Sequence, residues 1–327
     1  MQIFTNANYD FIRWRWHAII LSLVVIGAGV FLIVTRGLPL GIDFSGGTSL
    51  VAQFGEEVSL DRVREAVAPL PGDEVVQQFG DAAERRVLIR LPQVEGAEEG
   101  VELERSALRA EQALRDAGLG SFEIVNRELV GPVIGADLQR RGILATLTSL
   151  IAITIYIGFR FRFSFAVGAI AATLHDVFVT LAFLMFFRYD ISLNVVAAIL
   201  TITGYSVNDT IVIFDRVREN LRSRRKEPLD QVVNRSVNQT LGRTIITAGT
   251  TFLSVLALYV YGGEALEGFA FTMLVGVVSG TYSTVFIASA IAIILSQQKG
   301  AKMPATAAPP AEATPRQGRK QGRVRAS

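Results

Sequence analysis

Asp209 lies in TITGYSVNDTIVIFDR (201–216) and Arg243 in NQTLGRTIITAGTT (238–251), two stretches otherwise dominated by apolar and hydroxyl side chains. A third stretch, AIAATLHDVFVTLAF (169–183), carries His175 and Asp176 near its centre. An ionisable group placed inside a bilayer costs at least ~2.5–3.5 kcal/mol, so such groups face a helical interior and mark a relay or pathway. An aspartate at that depth can take up and release a proton, and an arginine nearby would hold it ionised until it did. The chemistry expected of Asp209 and Arg243 is therefore a proton-operated switch between two arrangements. Ser206, Asn208, Thr210, Thr244 and Thr247 would complete a polar network around them. The plainer alternatives are an arginine snorkelling to the headgroups and an acid satisfied by nearby hydroxyls. His175 and Asp176 diverge by ~100° as helical neighbours, so each is expected to meet a different partner and not the other.

These residues need helices to hold them. The 327-residue chain is half apolar, with a mean hydropathy of +0.38. Its charged residues make up 19%, against about a quarter in soluble proteins. A helix crosses the hydrocarbon with roughly 20 apolar residues, and such runs fall at 17–35, 142–158, 164–187, 191–214, 244–261 and 269–296. The first is too long for a signal-peptide core and lacks a small-residue cleavage site, so it reads as a retained anchor.

Lysine and arginine give the direction. Arg13 and Arg15 precede the first span, Arg160 and Arg162 lie between spans two and three, and Arg216, Arg218, Arg222, Arg224, Arg225 and Lys226 follow span four. With the basic tail, all fall on one side, which puts both termini in the cytoplasm of a multi-pass inner-membrane protein. Arg140 and Arg141 are the local exception. The expected organisation is 1–16 cytoplasmic, 17–36 span one, 37–138 an extracytoplasmic domain, 139–298 spans two to six and 299–327 a disordered basic tail. The basic clusters border apolar spans, which speaks for topology and not for nucleic acid.

Residues 37–138 alternate in the order β-α-β-β-α-β: strands at 48–54, 74–80, 85–91 and 121–131, helices at 59–70 and 102–120. That is the order of a ferredoxin-like unit. The fold class is thus a polytopic α-helical membrane protein with a small α+β domain. No His, Cys or close carboxylate pair in the domain supports catalysis, so the chain is read as a non-enzyme needing no cofactor and no metal. GIDFSGG (41–47) is glycine-rich but has no Lys for phosphate. Gly41, Asp43, Gly46 and Gly47 are instead expected to form the turn that leads from the bilayer into the first strand, the glycines allowing positive φ or close approach. The small residues of GVVSGTYS (276–283) are read as helix-packing positions.

Several of these stretches resemble one family. GIDFSGG, GPVIG (131–135), LHD (174–176), GYSVNDTIVIFDRVREN (204–220) and TLGRTIITAGTT (240–251) are similar to the SecD/SecF family of protein-export membrane proteins, over residues 1–298 and on its SecF side. The resemblance implies six spans forming half of a resistance-nodulation-division-type transporter. It implies SecD, the SecYEG channel and preproteins as partners, with YajC a further candidate, and use of the proton-motive force after the ATP-driven step of export. It also implies that Asp209 and Arg243 are the acid and base of the proton path. Drug-exporting relatives carry two adjacent acids where this chain has Asn208–Asp209, so a second acid would come from the partner. A small-solute or lipid exporter of the same superfamily and a passive scaffold are the alternative functions.

Overall fold

The computed structural model describes residues 7–71, 74–80, 82–91, 99–223 and 227–301. The tail expected to be disordered, 299–327, lies outside them from residue 302 onward, as do Arg224, Arg225 and Lys226.

Helix α1 (Arg15–Arg36) is followed by the single turn α2 (Ile42–Ser45), then β1 (Gly47–Phe54), α3 (Leu60–Val67), β2 (Val75–Phe79), β3 (Arg86–Leu91), α4 (Glu99–Asp116) and β4 (Phe122–Val130). The long helices α5 (Pro132–Arg160), α6 (Phe163–Phe187), α7 (Leu193–Ser223) and α8 (Leu229–Tyr261) come next. Last are α9 (Glu264–Ser283) and α10 (Ser289–Ala301), joined by one π-type turn over Thr284–Ala288. Six segments are long and apolar enough to cross a membrane, in agreement with the sequence. The helices run beyond the apolar runs that reveal them. α5 begins at Pro132, not 142, and α8 at Leu229, not 244. The i→i−4 bonds continue after the side chains turn polar, so hydropathy locates the immersed part and not the helix ends.

The small domain has the expected element order, and its sheet runs β2-β3-β1-β4 with every pair antiparallel. Alternation along the strands gives the sheet two unlike faces. Leu50, Ala52, Val87 and Ile89 pack against Val63, Val67, Ala107 and Leu114 of α3 and α4. Ser49, Val51, Leu88, Arg90, Asn126 and Glu128 occupy the other face, over a cleft of about 270 Å³ shared with Tyr189 and Asp190. Ser59 accepts from the Asp61 N–H to start α3, and Gly118, at φ +61°, follows the end of α4. In the helical part α6 is the centre, with Phe165, Ala169, Ala172, Val207, Phe214, Val285 and Ala288 in one core.

Candidate functional site

Asp209 stands on α7 facing α8. Its Oδ1 accepts from Thr244 Oγ1 at 2.8 Å, while its Oδ2 is buried without a hydrogen-bond partner among the described residues. Thr244 is almost fully buried. Arg243, one position earlier, turns to the exposed side of α8 and forms no ion pair with Asp209. The expected direct meeting of acid and guanidinium is thus replaced by a hydroxyl contact, because successive residues on α8 point ~100° apart and Thr244 takes the inward position. Asn208 is exposed beside it. A carboxylate with one oxygen held by Thr244 and the other buried without a donor has a fixed orientation. Thr247, which the sequence placed in this network, instead donates to the Arg243 carbonyl of its own helix.

Asp176 has the opposite environment. It is 1% exposed, and four donors or partners converge on it. Ser279 Oγ donates to Oδ1 at 2.7 Å; Ser206 and Ser283 donate to Oδ2 at 2.5 and 2.7 Å. His175 Nδ1 lies 3.1 Å from Oδ1, so the adjacent residues do pair, contrary to the helical-wheel expectation. The flexible χ angles of both side chains bring them together across the turn. His175 Nε2 continues to Ser22 Oγ of α1 at 2.8 Å, and the ring stacks on Tyr282, whose hydroxyl donates to the Ala18 carbonyl. The network therefore joins α1, α6, α7 and α9.

Ser279 and Ser283 come from GVVSGTYS, where the sequence showed only packing. They are one turn apart, on one face, and that spacing was the available signal. Packing also matters: a Cβ at Gly280 would lie 3.0 Å from the Ser206 Cβ, so the missing side chain lets α9 come close enough for the serines to reach. Just beyond, Thr284 Oγ1 contacts Thr210 Oγ1 at 3.1 Å, where the π-type turn begins. Such turns often occur at functional positions.

The glycine-rich segment forms a joint. Gly46 and Gly47 have φ of +69° and +118°, as expected, and Gly41 is extended. A Cβ on Gly46 would meet Pro132 Cα at 3.2 Å, and one on Gly135 would meet Gly46 N at 3.1 Å. GIDFSGG and GPVIG are therefore two sides of one close contact. Between the glycines, Asp43 Oδ2 accepts from the Leu193 N–H at 2.8 Å, satisfying a free donor at the start of α7. Gly41 N–H donates to the Ile191 carbonyl and Ile191 N–H to the Pro39 carbonyl.

The domain also touches the loop 188–192 through its open sheet face. Arg90 pairs with Asp190, side chains 15% and 21% exposed, and Gln77 Nε2 donates to the same carboxylate. Burial lowers the Arg90 guanidinium from its ordinary value, and the neighbouring Glu128 charge opposes that. Tyr189 donates to Glu267 at 2.6 Å, meets the Tyr259 hydroxyl and stacks on Phe271. Burial first, then those two hydrogen bonds, raises its phenol above the usual range, so Tyr189 stays neutral.

Residues 109–298 match the family described as Protein export membrane protein SecD/SecF, C-terminal, and residues 31–58 match the SecD/SecF GG Motif. A protein translocase subunit SecF from Vibrio alginolyticus is 42% identical over 296 residues, covering 90% of this chain and 92% of that protein. The SecF subunit of Magnetococcus marinus is 43% identical, over 96% of this chain and all of its own length. Among solved structures, SecDF from Thermus thermophilus, titled a translocon-associated membrane protein, has a TM-score of 0.79 at 30% identity. The match covers 91% of this chain, which spans 40% of the SecDF chain. A super-membrane-facing form of SecDF has a TM-score of 0.65 at 33% identity, with the same coverage.

Proposed function

Because this chain belongs to the SecD/SecF family of protein-export membrane proteins, we propose that it is the SecF-type subunit of the preprotein translocase. It pairs with SecD beside the SecYEG channel and uses the proton-motive force to complete export after the ATP-driven step. Its termini lie in the cytoplasm, on one side of the inner membrane, and residues 37–138 lie on the opposite side. One observation carries the coupling: helix α7 bears Asp209 in its membrane part and has its first turn capped by Asp43 of the glycine joint. A change in the charge of Asp209 is thereby felt by a helix whose outer end is fixed to the entry of the domain.

Asp209 takes the proton at its unpartnered Oδ2, and Arg243 supplies the field that favours the ionised form. Neutralisation releases α7 and α8 to shift against each other. Asp176 and His175 hold the helices on the far side of α7 and serve as a second polar station. Moving one charge through 100 mV yields about 2.3 kcal/mol, a bias of ~50-fold between two states. The exposed positions of Asn208 and Arg243 on α7 and α8 support pairing with SecD there, because an amide and a guanidinium facing hydrocarbon are costly.

The test is export of a preprotein into proteoliposomes holding the channel, SecD and this chain. With Asp209→Asn, the ATP-driven step is expected to proceed while the stimulation by an imposed proton gradient disappears. Unchanged gradient-dependent export would remove Asp209 from the mechanism.

A further inference from the structure

On the basic face of the helical part, a cavity of about 570 Å³ opens where α5 ends, α6 begins and α7 makes its last turns. Four arginines line it: Arg160, Arg162, Arg218 and Arg222. Arg160 is already neutralised, donating to both oxygens of Asp215 at 2.6 and 2.7 Å, with its guanidinium over the Phe161 ring. Arg162, Arg218 and Arg222 are exposed and form no ion pair with any described residue. No acidic side chain lines the cavity. Since α6 starts at Phe163, its positive dipole end lies beside the same opening. The remaining wall is apolar, made by Phe165 and Phe214, both buried and stacked edge to face.

Three free guanidiniums over an aromatic floor call for a ligand that is anionic at one end and apolar at the other. The turn between α5 and α6 continues that demand outward, because Phe159 and Phe163 are 90% and 64% exposed on either side of it. These rings extend the apolar wall toward the hydrocarbon, where a soluble acidic peptide would leave them uncovered. Arginine matches phosphate oxygens bidentately, and basic pockets at the ends of spanning helices suit acidic headgroups.

We infer that this cavity is a binding site for an anionic phospholipid, its phosphate held by Arg162, Arg218 and Arg222 and its acyl chains lying along Phe159 and Phe163. Bound there, the lipid ties the α5–α6 turn to the end of α7, the helix that carries Asp209. The site stands independently of the proton-coupled role, since neither Asp209 nor export enters its test.

The experiment is native mass spectrometry of the full chain purified in neutral detergent, with dioleoyl phosphatidylglycerol or dioleoyl phosphatidylcholine at equal concentration. Phosphatidylglycerol is expected to be retained and phosphatidylcholine lost. Each arginine-to-glutamine change should weaken retention about five-fold, from ~1 kcal/mol per basic residue, and Arg162→Gln/Arg218→Gln/Arg222→Gln roughly 100-fold. Arg13→Gln/Arg15→Gln, on the same face but away from the cavity, should leave it unchanged. If the triple variant does not fold, Arg218→Gln and Arg222→Gln are measured singly, with Arg218→Lys expected to keep partial retention. Equal retention of the two lipids, or equal loss in the Arg13/Arg15 variant, overturns the site. Displacement by millimolar inorganic phosphate would make it a small-anion site, and displacement by a glutamate-rich peptide a protein-docking site. Either result also refutes the lipid.

Discussion

Asp176 and Asp209 are both aspartates inside spanning helices, yet their hydrogen bonding is unlike. Asp176 is surrounded by three serine hydroxyls and His175, an environment that ties four helices to it. In Asp176→Asn the new amide faces hydroxyls that were donating, and hydrogen bonds to charged groups are worth about 1.5–3 kcal/mol each. The thermal midpoint in detergent should fall by about 5 °C or more. Asp209→Asn should leave the midpoint level or raise it, because it neutralises a buried oxygen that has no donor. Equal losses in the two variants would erase the distinction between holding residue and switching residue. Thr244→Val removes the one donor to Asp209 among the described residues while keeping the shape. It should slow gradient-dependent export about tenfold, the effect of ~1.4 kcal/mol on a barrier, with assembly intact. Normal export in this variant would mean that the orientation of the carboxylate does not matter.

At the scale of elements, the glycine joint decides how the domain is connected to the helices. Gly46 combines φ +69° with ψ +171°, a region essentially restricted to glycine, where other residues pay ~1–3 kcal/mol. Its absent Cβ also makes room for Pro132 at the start of α5. Gly46→Ala is therefore expected to shift α2 away from α5 and loosen the Asp43 cap on α7. The readout is amide exchange at Leu193, which should quicken in Gly46→Ala and also in Asp43→Ala, where a lost N-cap costs about 1 kcal/mol. If only Asp43→Ala changed Leu193, the cap would not depend on the glycine contact. At the same scale, the widened π-type turn over Thr284–Ala288 lies directly after Ser279 and Ser283, which both donate to Asp176.

Across the whole molecule, the domain is joined to the membrane part by the joint on one side and by the Arg90–Asp190 pair on the other. An exposed ion pair contributes about 0–1 kcal/mol, whereas breaking a buried one costs about 3–5. This partly covered pair falls between those limits. Arg90→Ala leaves Asp190 unpaired under the sheet and should raise amide exchange over residues 188–192 about tenfold or more, equivalent to ~1.4 kcal/mol of local opening. Arg90→Ala/Asp190→Ala should exchange more slowly than Arg90→Ala alone, because no lone charge remains. Additive effects in the pair of variants would show that the two residues do not hold the domain together.

The sequence alone determined what depends on neighbours along the chain. Apolar run length gave six spans, period-2 and period-3.6 patterns gave the β-α-β-β-α-β order, and the Gly46–Gly47 pair gave positive φ. Each is a local property, set within a turn or a strand. Tertiary structure alone decided which charges are satisfied. The partners of Asp176 come from Ser206, Ser279 and Ser283 on two other helices, and an isolated serine in an apolar helix looks like a packing residue. Likewise, Thr244 and not Arg243 meets Asp209, because the rotation of α8 about its axis is fixed by its packing against α7 and α9. Hydrogen-bond partners that lie 30 to 107 positions apart in sequence are chosen by how helices rotate and approach, and no pattern within one helix encodes that.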